Sequence, residues 1–162
     1  MTVMQNGRDA FQSAFTQYTD TVYRVAVHNT RSDADAQDIT QEVFLRLLEC
    51  RKVFRDSEHM KAWLIRVTIN LCKNHLRDRS RETLVPDAPP QADPAQTHTV
   101  LDAVRALPEG QRNAVYLHYY EGYTAREIAA ILGSTTNTVL SRLHRARQTL
   151  RETIGGIDDE TL

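Results

Sequence analysis

The chain lacks the long hydrophobic runs that target or anchor a protein. Its first ten residues, Met1 to Ala10, are polar and contain no apolar stretch of signal-peptide length. No window approaches the roughly 18 consecutive apolar residues of a membrane span. Cysteine is also scarce, with only Cys50 and Cys72. We therefore expect a cytoplasmic protein whose two thiols are reduced and buried as small apolar side chains.

The composition also lacks any extreme. With 162 residues, the chain has room for one domain or two small ones, so a barrel or a full doubly wound sheet does not fit. Six glycines and five prolines exclude a collagen-like or wholly low-complexity chain. The net charge is −1, from 20 Lys and Arg against 21 Asp and Glu, and this total points to neither a nucleic-acid partner nor an acidic one. Any charge signal must lie in its distribution along the chain.

Proline and glycine divide the chain into segments. Neither occurs from Arg8 to Val85, where apolar residues recur at intervals of three and four, which is typical of helices. The stretch from Ser80 to His98 contains four prolines among Asp, Ala and Gln, which indicates a linker. Helical periodicity resumes from Val100 to Ile154. We predict an all-α fold with helical domains at 1–80 and 99–155, a flexible linker at 81–98 and an acidic tail at 156–162.

Charge is distributed unevenly within this framework. Six basic residues and one acidic residue lie between His59 and Arg81, a net charge of +5. The segment from Ala125 to Arg151 carries five Arg and one Glu, a net charge of +4. Between Arg31 and Glu49 the sign reverses to −3. The neutral total therefore conceals two basic segments and one acidic segment.

The second predicted domain contains the pattern of a helix-turn-helix. Thr124 followed by Glu127 predicts a helix start, and Gly133 predicts its end. A second helix is expected to begin near Thr135 or Thr136 and to pack through its apolar residues against the first helix. Those apolar residues are Val139, Leu140, Leu143, Ala146 and Leu150.

The opposite side of that second helix is small, polar and basic. A spacing of about 100° per residue places Asn137, Ser141 and Arg145 there, flanked by Thr138, Arg142 and His144. In a helix-turn-helix, such a face enters the DNA major groove. The alternative is an ordinary amphipathic hairpin with a solvated charged face. Arg, Ser, Thr and Asn contact both bases and phosphates, so individual base contacts stay open.

An acidic stripe marks the first domain. A helix is predicted from Asp35 to Leu48, with an apolar side that comprises Ile39, Val43, Phe44, Leu47 and Leu48. Its other face aligns Asp38, Gln41, Glu42 and Leu45, so one large apolar residue stands among acidic and amide groups. This stripe suits a protein partner with a basic surface. The alternative is a solvated acidic face with one exposed leucine, which is common.

The next predicted helix, roughly Met60 to Arg79, has a basic side. Arg66, Asn70, Lys73 and Arg77 share that side, and Trp63 borders it. Basic groups beside an aromatic ring are the combination that binds single-stranded nucleic acid. The alternative, which the sequence slightly favours, is that Trp63 is a core residue. Phe54, in the polar segment before the helix, is a second aromatic candidate with the same alternative.

We find no catalytic or metal site in the sequence. Cys72 and His75 lie three residues apart, but without a second clustered pair this is weak evidence for zinc. No phosphate loop or nucleophile elbow is present. We therefore expect no enzyme activity, no cofactor and no small-molecule substrate.

Taken together, these motifs resemble the extracytoplasmic-function sigma factors of the sigma-70 family. Several separate motifs occur in the family's order over about Phe15 to Arg151. They are Asp38–Leu47, Ala62–Val67, Asn70–Leu71, His75–Arg77, Leu107–Glu109, Glu127–Ala129 and Thr138–Arg147.

The resemblance implies a bacterial transcription initiation factor without catalytic activity. It implies that the acidic stripe binds core RNA polymerase and that the first domain melts the minus-ten promoter element. A flipped base would lie near Phe54, Arg66, Asn70 and Lys73. The second domain would place Asn137, Thr138, Ser141, His144 and Arg145 at the minus-thirty-five element. The linker would thread toward the polymerase active-site channel.

The family also implies a regulator, because its members are commonly held inactive by an anti-sigma factor that is often membrane-bound. The chain departs from many relatives, which carry Gly before the Thr-Val pair and a basic residue after it, where this chain has Asn137 and Leu140. The promoter sequence therefore does not carry over. Two other functions stay open at this point: a free-standing operator-binding regulator, and a helical antagonist that mimics part of a sigma factor.

Overall fold

The structure, a computed structural model, describes residues 2–82 and 100–154, which form two compact units. No strand occurs in those ranges, in agreement with the predicted all-α fold. The predicted linker at 81–98 lies outside the described residues except for 81 and 82, which continue the last helix of the first unit. The predicted acidic tail at 156–162 also lies outside them. Within these limits, no helix is both long and apolar enough to cross a membrane.

The first unit is a three-helix bundle. Its helices are α1 (Thr2–Asn29), α2 (Asp33–Glu49) and α3 (Ser57–Glu82), and each contacts the other two. The core residues at their centre include Val22, Ala26, Ala36, Val43 and Leu64, each at most 1% exposed. Burial of these apolar side chains is the main source of stability in so small a unit.

Polar side chains in and beside this core bond locally. The hydroxyl groups of Thr30, Thr40 and Thr68 donate to carbonyl oxygens four residues earlier in the chain. One longer link joins two helices, because the Tyr18 hydroxyl donates to the Ser57 carbonyl at the start of α3, at 3.0 Å. Buried hydroxyls that find such partners avoid a desolvation penalty.

The helix starts of the first unit follow capping chemistry. Ser32 caps α2, since its hydroxyl accepts a hydrogen bond from the Asp35 amide at 3.1 Å. Asp56 acts in the same way for α3, accepting from the His59 amide at 2.8 Å. The ring nitrogen Nδ1 of His59 accepts in return from the Arg55 amide at 3.2 Å. This reciprocal pair anchors the segment that leads into α3.

The second unit consists of four short helices and a long one. They are α4 (Val100–Arg105), α5 (Glu109–Val115), a π-helical turn at Tyr116–Tyr120, α6 (Ala125–Leu132) and α7 (Thr136–Ile154). Helix α7 contacts α4, α5 and α6. The core of this unit includes Leu117, Ile128, Val139, Leu143 and Leu150, each at most 2% exposed.

Candidate functional site

The acidic stripe lies on the outer face of α2. The side chains of Asp38, Gln41, Glu42 and Leu45 are all exposed, and Leu45 is 52% exposed. Glu42 also forms an ion pair with Arg46 one turn later, with Oε1 and Nε 3.3 Å apart. The four residues therefore present one continuous surface of carboxylate, amide and aliphatic groups.

Leu48 extends this surface, contrary to the sequence-based prediction. It was assigned to the apolar side of α2, but it is 57% exposed. Leu48 lies at the edge of the apolar side, about 100° around the helix axis from Leu47. Leu47 already makes the contact with the core at this level of the helix. The outer face of α2 thus carries two exposed leucines beside its acidic groups.

An aromatic cluster on the first unit was not predicted from the sequence. Phe15 of α1 is 45% exposed and packs edge-on against Phe44 of α2, with ring centroids 4.9 Å apart. Phe11 stacks on Phe15 at 6.2 Å. The helical spacing of Phe11 and Phe15 could have indicated a shared face, but not that the face meets Phe44. These contacts fix α1 against α2.

The basic side of α3 forms a single stripe. Arg66, Asn70, Lys73 and Arg77 are exposed and follow one another at intervals of four, three and four residues. Arg77 also donates from Nη2 to Asn74 Oδ1 at 3.0 Å. Four polar side chains aligned along about three helical turns form a surface that suits a phosphate backbone.

The two aromatic candidates beside this stripe pack on each other. The rings of Phe54 and Trp63 meet edge to face with centroids 5.6 Å apart, and Phe54 also contacts His59 at 5.5 Å. Phe54 and Trp63 are partly buried against the core of the first unit. Each ring therefore has a packing role in the first unit and retains an exposed part.

The turn between α6 and α7 has the predicted geometry. The Thr124 hydroxyl accepts from the Glu127 amide at 3.2 Å, which caps α6. Gly133 ends α6 in the left-handed conformation, with φ of 64°, and the Ser134 amide returns to the Ala129 carbonyl at 2.8 Å. Thr135 then caps α7, since its hydroxyl accepts from the Thr138 amide at 3.2 Å. These local bonds define a helix-turn-helix.

The left-handed conformation makes Gly133 sensitive to substitution. We expect Gly133→Ala to lower the free energy of unfolding of the second unit by about 1–2 kcal/mol, because a Cβ atom disfavours positive φ. Nothing lies within 4 Å of a Cβ at this position, so backbone strain is the sole cause. Thermal unfolding followed by circular dichroism measures the change. Gly7→Ala, in an open part of α1, is the matched control, and an equal effect there would contradict this explanation.

The outer face of α7 carries the predicted polar residues. Asn137, Ser141, His144 and Arg145 are exposed, whereas Thr138 and Arg142 are half-buried. The prediction that Leu140 packs inward is wrong, because it is 50% exposed. Leu140 lies beyond the edge of the buried row that Val139, Leu143, Ala146 and Leu150 form.

Two features of the second unit were invisible in the sequence. The first is the π-helical turn, closed by a hydrogen bond from the Glu121 amide to the Tyr116 carbonyl at 3.2 Å. The second is a contact between this turn and α7, in which Arg147 donates from Nη1 to the Tyr119 hydroxyl at 2.7 Å. Neither leaves a residue pattern, because the first depends on backbone bonding and the second joins residues far apart in the chain.

Two family models match the chain and cover most of the described residues. Sigma-70 region 2 matches residues 14–82, and Sigma-70, region 4 matches residues 97–150. The first match coincides with the three-helix unit, and the second with the unit that contains the helix-turn-helix.

Individual relatives agree with these models. The ECF RNA polymerase sigma factor SigM of Mycobacterium tuberculosis is 33% identical over 154 residues, which cover 91% of this chain and 79% of SigM. SigE of Mycolicibacterium smegmatis is 35% identical over 159 residues and 90% of this chain, but the chain spans only 62% of the length of SigE. In fold, the chain is similar to the sigma factor RpoE from Bartonella quintana, with a TM-score of 0.73 and 22% identity over 90% of this chain and 96% of RpoE. The chain belongs to the ECF RNA polymerase sigma factors of the sigma-70 family, and it is an alternative sigma factor of transcription initiation.

Proposed function

We propose that the outer face of α2 is the surface that binds core RNA polymerase. Its proposed contacts are Asp38, Gln41, Glu42 and Leu45, to which the exposure of Leu48 adds a fifth. Carboxylates beside exposed leucines suit a partner surface that is basic around an apolar centre. The exposed Leu45 then has a function, because contact with polymerase would remove it from water.

For the minus-ten element, we propose the exposed stripe of α3 with the neighbouring aromatic pair. Arg66, Asn70, Lys73 and Arg77 would follow the phosphate backbone of the melted strand. The exposed parts of Phe54 and Trp63 would receive an unstacked base. The contacts of Phe54 with Trp63 and His59 support this role, since rings that are already held in place lose little entropy on binding.

The outer face of α7 is the proposed reader of the minus-thirty-five element. The proposed contacts are Asn137, Thr138, Ser141, Arg142, His144 and Arg145. The observation that supports this most directly is the helix-turn-helix geometry, which leaves this polar face exposed while Val139, Leu143 and Leu150 are buried. Such a face enters the major groove in other proteins of this design.

Arg145→Ala tests this assignment. We expect the variant to weaken holoenzyme binding to the promoter about 10- to 100-fold, since a charge-assisted hydrogen bond contributes about 1.5–3 kcal/mol. Affinity for core polymerase should not change. Both affinities are measured by fluorescence anisotropy, the first with labelled promoter DNA and the second with labelled protein. Arg8→Ala, which removes the same charge from an exposed position in α1, should alter neither.

The family relationship also supports a proposal for regulation and location. We propose that an anti-sigma factor holds the protein inactive, as the RpoE structure from Bartonella quintana is described as a complex with the anti-sigma factor NepR. The protein would act in the cytoplasm, on polymerase and promoter DNA, through binding and without catalysis of its own.

A reconstituted transcription assay tests the function as a whole. The purified protein is mixed with bacterial core polymerase and a fragmented genomic library, and the transcript starts are sequenced. We expect discrete starts that share two spaced upstream elements. Initiation without such elements, or no initiation with a matched core enzyme, would contradict the proposal.

A further inference from the structure

Gly110, in the first turn of α5, lies directly beneath the side chain of Arg142 from α7. A Cβ atom added at Gly110 would lie 2.9 Å from Nε of Arg142, 3.0 Å from Cζ and 3.3 Å from Cδ. The φ angle of Gly110 is not positive, so the backbone there does not require glycine. Glycine supplies space at this position, and the guanidinium group of Arg142 fills it.

This contact separates Arg142 from its neighbours on α7. Arg145 and Ser141 are exposed on the outer face, whereas Arg142 is half-buried because it lies against α5. Its guanidinium group therefore borders a polar groove between the start of α5 and the outer face of α7. The groove is lined by Gly110, Gln111, Asn137, Ser141, Arg142 and Arg145, among others.

The edge of a recognition helix faces a different part of DNA from its outer face. Residues on the outer face contact base edges, while at least half of all protein–DNA hydrogen bonds go to the phosphate backbone and sugars on either side of the groove. A guanidinium group binds phosphate oxygens in pairs, and Arg142 lies beside the outer face of α7 and not on it, which suits a phosphate contact better than a base contact. Contact with α5 also limits the freedom of the side chain, which lowers the entropy lost on binding.

We propose that Arg142 binds a backbone phosphate of the minus-thirty-five DNA, and that Gly110 is a positioning residue, because the absence of a Cβ atom there leaves the space in which the guanidinium group lies against α5. The inference rests on the proposed function of α7 and divides its contacts into two kinds. Arg142 contributes affinity that is independent of sequence, and base readout is left to the exposed residues.

Gly110→Ala isolates the positioning effect. Alanine favours a helix more than glycine does, and the atoms that must move belong to a flexible side chain, so the variant should fold. Full-length Gly110→Ala, Arg142→Ala and the double variant are assembled with core polymerase and bound to a promoter from the genomic assay. Gly7→Ala, where a Cβ meets nothing within 4 Å, is the matched control. Thermal unfolding verifies that each variant folds.

We expect Gly110→Ala and Arg142→Ala each to weaken promoter binding about tenfold. The double variant should be no weaker than Arg142→Ala, because Gly110 acts through that side chain. Gly7→Ala should bind like the wild type. A Gly110→Ala protein that binds like the wild type, or a double variant whose loss is the product of both single losses, would overturn the positioning role.

Phosphate contact has its own signature. Arg142→Ala should weaken binding equally across promoters with altered minus-thirty-five bases, and it should reduce the slope of log affinity against log salt concentration by about one. Neutral methylphosphonates are placed one at a time along the minus-thirty-five DNA. At one position the replacement should weaken promoter binding by the wild type but not by Arg142→Ala. Relaxed preference at a single base pair in Arg142→Ala would instead show base readout and overturn the phosphate contact. If neither Arg142→Ala nor Arg145→Ala weakens promoter binding, the proposed role of α7 fails. If only Gly110→Ala is without effect, the positioning role fails and the proposed role of α7 stands.

Discussion

Glu42→Lys should weaken binding to core RNA polymerase about 100-fold, or about 2.7 kcal/mol. The substitution removes a carboxylate from the centre of the proposed contact and places a positive charge opposite a basic partner, where like charges cost several kcal/mol. The fold should survive. The Glu42–Arg46 pair is about half exposed, so its loss costs only a few tenths of a kcal/mol. Fluorescence anisotropy with labelled protein and increasing core enzyme measures the affinity.

Asp20→Lys is the control for this effect, because it makes the same charge change at an exposed position of α1. It should leave polymerase affinity within about twofold of the wild type, because Asp20 is not among the residues of the proposed contact on α2. Equal losses in Glu42→Lys and Asp20→Lys would mean that overall charge, not the α2 stripe, governs binding. If Glu42→Lys and Arg145→Ala lost affinity for core polymerase equally, the proposed separation of the polymerase contact on α2 from the minus-thirty-five contact on α7 would be refuted.

Leu143→Ala should unfold the second unit at a much lower temperature than the wild type. Leu143 is 2% exposed at the centre of the small core that α7 shares with its neighbours. Truncation of a buried leucine costs about 2–5 kcal/mol, which lowers the unfolding midpoint of a unit this small by roughly 10–40 °C. Calorimetry of the full chain measures the midpoint. Promoter binding should be lost on mild warming, while binding to core polymerase through the first unit persists.

Leu140→Ala provides the matched control. It makes the same chemical change three residues earlier on α7, at a side chain that is 50% exposed. We expect a change of less than about 0.5 kcal/mol in the free energy of unfolding. A large loss in Leu140→Ala would mean that this leucine packs inward in solution. A small loss in Leu143→Ala would contradict the assignment of the core.

The accuracy of sequence-based prediction here depended on how local each signal was. The start of α6 at Thr124 and its end at Gly133 were predicted correctly, because each reflects bonds within a few residues. The burial of Leu48 and Leu140 was predicted wrongly. Both lie at the edge of an apolar stripe, where burial depends on neighbouring helices and not on helical spacing alone.

For the candidate surfaces too, local features were predictable from the sequence and contacts between helices were not. Helical geometry was sufficient to group Arg66, Asn70 and Lys73 on one exposed side. Their proposed partners came from the family resemblance, because a basic stripe alone fits any polyanion. The contact between Gly110 and Arg142 was beyond prediction, since it joins separate helices through a space that only the packed unit defines.

The succession of the two units along the chain has a consequence for timing during synthesis. The described helices of the first unit all lie within residues 2–82, and those of the second lie within 100–154, so each unit is built from one continuous stretch of the chain. Small helical bundles fold in microseconds to milliseconds, whereas ribosomes add roughly 5–20 residues per second. The first unit is therefore folded for several seconds before the helix-turn-helix has been made. During that interval the nascent protein already presents its proposed polymerase-binding surface, while the proposed reader of the minus-thirty-five element has not yet been made.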